Sequence, residues 1–220
     1  MRHWIAPPVL AMLAGLAAAG CASGPGGGHK DLPTQYPAVV EDWSGSTIDR
    51  VEFIKPFTLG QYQRVAVQHF DTSKVALPDA DDNTRKPVER AIVDFDQTLA
   101  KGVRESLEKV IPVEIQAAPG GGGGGGGTLV VRGTVKEINP GSRAARAFAS
   151  FGAGRSKTEV DGEIVDGATG QVLIKFNHAK ASGIGLFGGD YDDFIHDDIM
   201  DVGKDIGLLI GAHIEPGTKK

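Results

Sequence analysis

The 220-residue chain has a single cysteine, Cys21, and lacks the short arrangements that carry common enzyme chemistry. The six scattered histidines form no H-E-x-x-H, and there is no G-x-S-x-G turn, so neither a zinc-protease helix nor a serine-hydrolase elbow is encoded. Basic charge is also short: 23 Lys+Arg stand against 28 Asp+Glu, a net charge of −5. That excess of acid argues against nucleic acid and against an anionic lipid face as partners. The apolar run Trp4 to Ala19 is too short, and too interrupted by Pro7 and Pro8, for a comfortable membrane span.

What is present starts with a targeting segment. Met1-Arg2-His3 gives a positive start to that Ala/Leu-rich run, and residues 1–20 read as a signal peptide. Leu16-Ala-Ala-Ala-Gly-Cys21 then resembles the bacterial lipobox, in which the cysteine is acylated and becomes the new first residue; Ala18 stands where the lipobox usually has Leu. Free cysteines prefer packed cores to glycine-rich tails, so Cys21 is read as the lipidation site. Several acyl chains on one residue anchor firmly, at about 0.8 kcal/mol per buried methylene. In Gram-negative lipoproteins an Asp after the cysteine retains the protein in the inner membrane. Ala22 stands there, and the resemblance therefore implies an outer-membrane anchor facing the periplasm.

Residues 21–45 are rich in Gly, Pro and polar side chains without a sustained period, and read as a flexible tether. Residues 46–214 suffice for one periplasmic domain with a real core, and residues 215–220 form a tail. Tyr62 to Phe70 is a β-rich run and reads as a first strand, followed by a polar loop from Asp79 to Arg85. Pro87 suits the first turn of a helix whose apolar stripe runs Val88, Ile92, Phe95, Leu99, Val103, Leu107 and Val110, until Pro112 stops it. Val113 to Ala117 is a short second strand, and Gly120 to Gly127 a tolerated loop expansion.

Leu129 to Ile138 is the third strand. Lys157 to Val165 is the fourth, with Thr158, Val160, Gly162 and Ile164 on one face and Lys157, Glu159, Asp161 and Glu163 on the other, so one sheet face is wet. Asp166 to Gly170 is a hairpin turn leading to a fifth strand, Gln171 to Lys180. A last helix starts near Asp190 and buries Ile195, Ile199, Val202, Ile206 and Leu209. The fold class is α+β: about five strands in a mostly antiparallel sheet, with two amphipathic helices packed on one face.

The stretch FASFGAGRSKT, Phe148 to Thr158, looks like a phosphate loop and fails the requirements for one. Ser156 stands where a Walker loop needs glycine, and an alternating strand follows where a helix is needed. Gly152-Ala-Gly154 lacks the third glycine of a dinucleotide fingerprint. The acids Asp192, Asp193, Asp197, Asp198, Asp201 and Asp205, beside His196, match no calcium loop and read as a solvated helix face. His69 and His178 fall within strands and read as structural. No catalytic residue, metal site, cofactor or nucleotide site is expected, and the chain reads as a non-enzyme.

The run from Arg132 to Leu173, with Gly133, Gly141, Arg146, Gly152, Gly154, Asp166, Thr169 and Gly170, resembles a bacterial lipoprotein family of unknown function. Its pattern is a strand, an Arg/Gly-rich loop, then a strand and a D-x-x-T-G hairpin; the likeness extends loosely from Tyr62 to Ile210, and the octaglycine run departs from it. In element order the chain is also similar to the curli-secretion lipoprotein and to the amino-terminal domain of the Tol translocation protein, which is a likeness of fold.

The antiparallel hairpin places the loop Gly141–Ser156 and the loop Gly183–Gly189 at one end of the sheet. Phe148, Phe151, Ile184, Leu186 and Phe187 are expected to meet there in an apolar patch rimmed by Arg143, Arg146 and Arg155, used for a protein partner or for self-association. The alternative is that the phenylalanines plug the end of the core. The expected function is a non-catalytic envelope lipoprotein. The runner-up is a subunit of a secretion or pore assembly, disfavoured because Pro140 to Ser156 neither alternates nor is long enough for two membrane strands of about nine to eleven residues each.

Overall fold

The structure is a computed structural model that describes residues 32–43, 48–79, 82–116, 127–141, 155–182 and 190–214. Seven strands form one sheet: β1 (Ala38–Trp43), β2 (Ile48–Phe53), β3 (Arg64–Gln68), β4 (Val113–Gln116), β5 (Thr128–Asn139), β6 (Lys157–Asp166) and β7 (Val172–Lys180). Two long helices, α1 (Arg85–Leu107) and α2 (Tyr191–Gly211), accompany it. The strand order is β1-β2-β7-β6-β5-β3-β4.

The α+β class holds, while the sheet is larger and more mixed than five mostly antiparallel strands. The pairs from β1 through β5 are antiparallel, but β3 runs parallel to both β4 and β5. The physical reason is α1. A strand followed by a long helix that packs on the sheet returns its chain on the starting side, so β4 lies alongside β3 in the same direction. β1 and β2 are the added strands, and β1 lies inside the stretch expected to be tether.

Both helices cover the same face. Val51 and Phe53 of β2, Val65 and Val67 of β3, Leu129, Val131 and Val135 of β5, Val160 and Ile164 of β6, and Ile174 and Phe176 of β7 join the helix stripes in one core. The α1 stripe ends early. After Leu107 the chain turns, with Val110 and Ile111 N–H both bonded to the Leu107 carbonyl, so Ile111 is buried and Val110 is left 47% exposed. The two helices cross with their backbones touching. A Cβ on Gly102 would lie 2.0 Å from the Met200 carbonyl oxygen, and one on Gly203 2.2 Å from that of Leu99. Ser106 Oγ adds a 2.9 Å bond to the Lys204 carbonyl. No helix among the described residues is long and apolar enough to cross a membrane.

Candidate functional site

The register brings the stems of the two glycine-rich loops together. Asn139 pairs with Lys157 across β5 and β6, and Thr158 pairs with Lys180 across β6 and β7. The chain therefore leaves β5, enters β6 and leaves β7 along one short stretch of sheet end. Ser156 Oγ donates to the Ser182 carbonyl at 3.2 Å, tying one stem to the other. Of the residues expected in the interaction patch, Arg155 is exposed just ahead of β6. Arg143, Arg146, Phe148, Phe151, Ile184, Leu186 and Phe187 lie outside the described residues, as does the lipidation site Cys21.

Beneath these stems α2 presents polar groups to the sheet, which corrects its reading as a solvated acidic face. Asp193 and Asp197 are exposed, but Asp198 and Asp205 are buried, because they lie seven residues apart on the stripe that packs against β6 and β7. Asp205 Oδ2 lies 2.8 Å from Lys180 Nζ and 2.9 Å from His178 Nε2. His178 is buried in β7, and its Nδ1 faces Asp49 Oδ2 at 3.3 Å. His69, by contrast, is exposed just past β3 and pairs with Asp96 at 2.6 Å. Asp96 also accepts the Phe70 N–H, so this pair fastens the strand end to α1. Burial pushes the Asp198 carboxyl up from its ordinary value.

The opposite sheet face is open. Arg50, Glu52, Arg132, Asp161, Glu163, Lys175 and Asn177 line a shallow concavity of about 760 Å³. Its charges largely answer one another across strands. Arg132 pairs with Glu163 at 3.0 Å and Lys136 with Asp161 at 3.3 Å, while Asn177 donates to Asp161 at 2.8 Å. Lys157 sits between Glu137 at 2.8 Å and Glu159 at 2.7 Å, and these bonds push its ammonium up to about 12. Its charge is thus already matched by two carboxylates. Between the helices a second cleft holds His196 near Thr98, and Arg90 paired with Asp192. No group of three or more His, Cys, Asp or Glu side chains suited to a metal occurs among the described residues.

The D-x-x-T-G segment is a turn with a complete local bonding scheme. Asp166 Oδ1 accepts from Ala168 N–H, Thr169 N–H and Thr169 Oγ1 at 2.8 to 3.0 Å, and the Thr169 bonds lower its pKa. Gly170 takes φ +72°, which a side chain would disfavour. Tyr62 Oη donates to Asp166 Oδ2 at 3.0 Å, tying the turn to the segment before β3. Gly133 and Gly162 face each other across β5 and β6, and a Cβ on Gly162 would lie 2.1 Å from the Phe176 ring. Of the residues shared with the family resemblance, Gly133, Asp166, Thr169 and Gly170 thus shape the hairpin and the core beneath it, while Arg146, Gly152 and Gly154 lie outside the described residues.

The chain belongs to the family described as domain of unknown function (DUF4410), whose model matches residues 65–185. No curated protein matches it. Solved structures similar to it include the PelC dodecamer from Paraburkholderia phytofirmans, at 15% identity over 71% of this chain and 96% of that one, TM-score 0.45. A Xanthomonas campestris protein of the family-model DUF330 matches at 11% identity over 71% and 91%, TM-score 0.38. A putative neuraminyllactose-binding hemagglutinin homolog from Helicobacter pylori matches at 10% identity over 84% and 89%, TM-score 0.34. At these scores the likenesses carry no argument about assembly or ligand.

Proposed function

We propose that this DUF4410 member is a non-catalytic lipoprotein, anchored in the outer membrane through Cys21, whose periplasmic domain holds a protein partner or another copy of itself. The observation that carries this reading is the shared root of the two loops, fastened by the Ser156–Ser182 bond at one sheet end. Phe148, Phe151, Ile184, Leu186 and Phe187 occur in those loops, and a cluster of apolar side chains presented together is what interfaces select. The open sheet face supports the same reading from the other side, since its charges are matched within the face. Lys157, the lysine of the phosphate-loop look-alike, is committed to Glu137 and Glu159.

Crosslinking in intact cells, with Phe148→Ser and Leu186→Ser compared to the parent chain, tests the reading. An interface loses its crosslinked species while the melting temperature barely moves. A core plug instead loses about 2 to 5 kcal/mol per large side chain with complexes intact, and that result overturns the proposal. Mass spectrometry of the membrane fraction checks the anchor: a first residue other than an acylated Cys21 removes it.

A further inference from the structure

The roots of the two loops and the point where the chain joins the sheet lie at opposite ends of the domain. Ala38, where β1 begins, pairs with Phe53, Phe53 with Ile174, and Ile174 with Ile164, so these residues form one row across β1, β2, β7 and β6. Ser156, at the loop roots, is eight residues from Ile164 along β6, a distance of about 25 Å. Tyr36 packs edge-on against Phe53, and Leu32, also against the core, lies within about 14 Å of Tyr36 by chain length alone.

Both helices finish at this entry end. A Cβ on Gly211 would lie 3.6 Å from Leu107 Cδ2, and past that contact each chain makes one more turn, to Val110 and to Ile214. Two residues after Val110, the Pro112 carbonyl accepts the Val65 N–H, in the row that joins Val65, Leu129 and Asp166. His213, next to Ile214, stacks on Phe57 and lies 6.1 Å from the Phe53 ring. Val110 and Ile214 are 47% and 37% exposed, so two branched apolar side chains face outward at the end where the chain enters.

Eleven residue steps separate Cys21 from Leu32. A glycine-rich chain of that length spans about 18 Å on average and reaches about 40 Å at most. Laying the loop roots on a bilayer would lift the Ala38 row about 25 Å from it, which stretches the connection past its average at a cost in entropy. With the entry end down the connection stays slack. The net charge of −5 sets the protein against anionic headgroups, and the surface this end fits is a zwitterionic one.

Resting on the reading of Cys21 as the lipidated residue, we propose that the domain stands on the membrane by its entry end, with Val110 and Ile214 against zwitterionic lipid. The two glycine-rich loops then root on the side away from the bilayer, and the protein they hold is met there. Two such side chains do not hold a protein on a bilayer by themselves; they orient one that acyl chains already hold.

The test uses the mature full chain reconstituted in phosphatidylethanolamine and phosphatidylcholine vesicles that carry an energy-acceptor headgroup lipid. Because Cys21 is the only cysteine, an introduced one is the sole thiol for a donor dye once Cys21 is acylated. Lys109→Cys, beside Val110, should transfer energy to the lipid several-fold more efficiently than Arg155→Cys, at the loop roots. Adding Val110→Asp and Ile214→Asp, both at exposed positions, should bring the two efficiencies together while the melting temperature holds. Equal transfer from the two positions, stronger transfer from Arg155→Cys, or a ratio that the double variant leaves unchanged overturns the proposal. The parent chain reads the anchor separately: dye uptake at Cys21 and failure to join vesicles overturn the lipidation, and this orientation with it.

Discussion

The two faces of the sheet are built from the same strands on opposite terms. Along β6, Val160, Gly162 and Ile164 face the helices and are buried, while Glu159, Asp161 and Glu163 between them lie on the other face, where Asp161 and Glu163 pair across strands and Glu159 pairs with Lys157 within β6. On the helix side shape decides, because a close-packed interior has no room for even one added carbon. On the open side charge decides, and exposed ion pairs are individually worth little. Stability and helix position therefore reside mainly on one face, while the charged part of the other tolerates change; Ala66, Val130 and Val165 form only a small buried apolar cluster there.

The sharpest break of that contrast is Gly203→Leu. In an exposed helix, replacing glycine adds about 1 kcal/mol of stability. At Gly203 the first added carbon meets the Leu99 carbonyl at 2.2 Å, and helix backbone cannot move aside as a side chain would. The expected loss is about 5 kcal/mol or more, read as loss of the cooperative urea transition. Gly211→Ala is the control within the same helix. Its Cβ would meet only Leu107 Cδ2 at 3.6 Å, and stability should hold or rise slightly.

Phe176→Ala should come next, at about 3 to 5 kcal/mol, because it empties the space that Gly162 reserves for the ring. Leu is expected to recover part of the loss. Full stability in the alanine variant would show that the glycine pair on β5 and β6 does not set the core's shape.

A smaller effect, of roughly 3 kcal/mol, should appear with pH and trace to His213. Its ring is stacked on Phe57 at 3.9 Å and buried, and burial lowers its pKa from 6.5 to about 4. Above the unfolded value both states are neutral and the native state is unpenalised. Between there and about 4 the unfolded chain takes up a proton that the native chain excludes, so stability falls as pH falls, and the loss stops growing below the folded value. Asp198 contributes the other way, because its raised pKa makes the native state hold a proton more tightly. Comparing the parent with His213→Phe at each pH subtracts that opposing contribution. A parent-minus-variant difference that stays flat across the window would rule out a neutral buried His213.

The helix side was also the more legible face. α1 and α2 could be read from apolar residues at spacings of three and four, and β6 from strict alternation, since those patterns report directly which residues are buried. β1 and β2 were not read. AVVEDW and IDRVEF are short and carry two and three charged residues each, and Asp42, at φ +50°, interrupts the pairing between Glu41–Arg50 and Trp43–Ile48. The parallel pairing of β3 was implicit in the strand–helix–strand order, yet five local patterns could not say which neighbour it would join. The shared end of the two loops followed from the hairpin, whereas burial of Asp198 did not, because an acid on a helix stripe reads as exposed until its neighbours are known.

The smallest effect is expected on the open face, at Lys157. Two carboxylates hold its ammonium and push its pKa up to about 12, which could suggest a strong structural role. Its side chain is nevertheless 38% exposed, so water and salt screen both pairs. Removing the lysine also leaves Glu137 and Glu159 on neighbouring strands with like charge, a cross-strand repulsion of a few tenths of a kcal/mol. Lys157→Ala should therefore cost less than about 1 kcal/mol in low salt, and high salt should shrink even that. Thermal melts at two ionic strengths provide the measurement. A loss above about 2 kcal/mol that persists in high salt would place structural weight on the open face and remove the contrast between the two sides of the sheet.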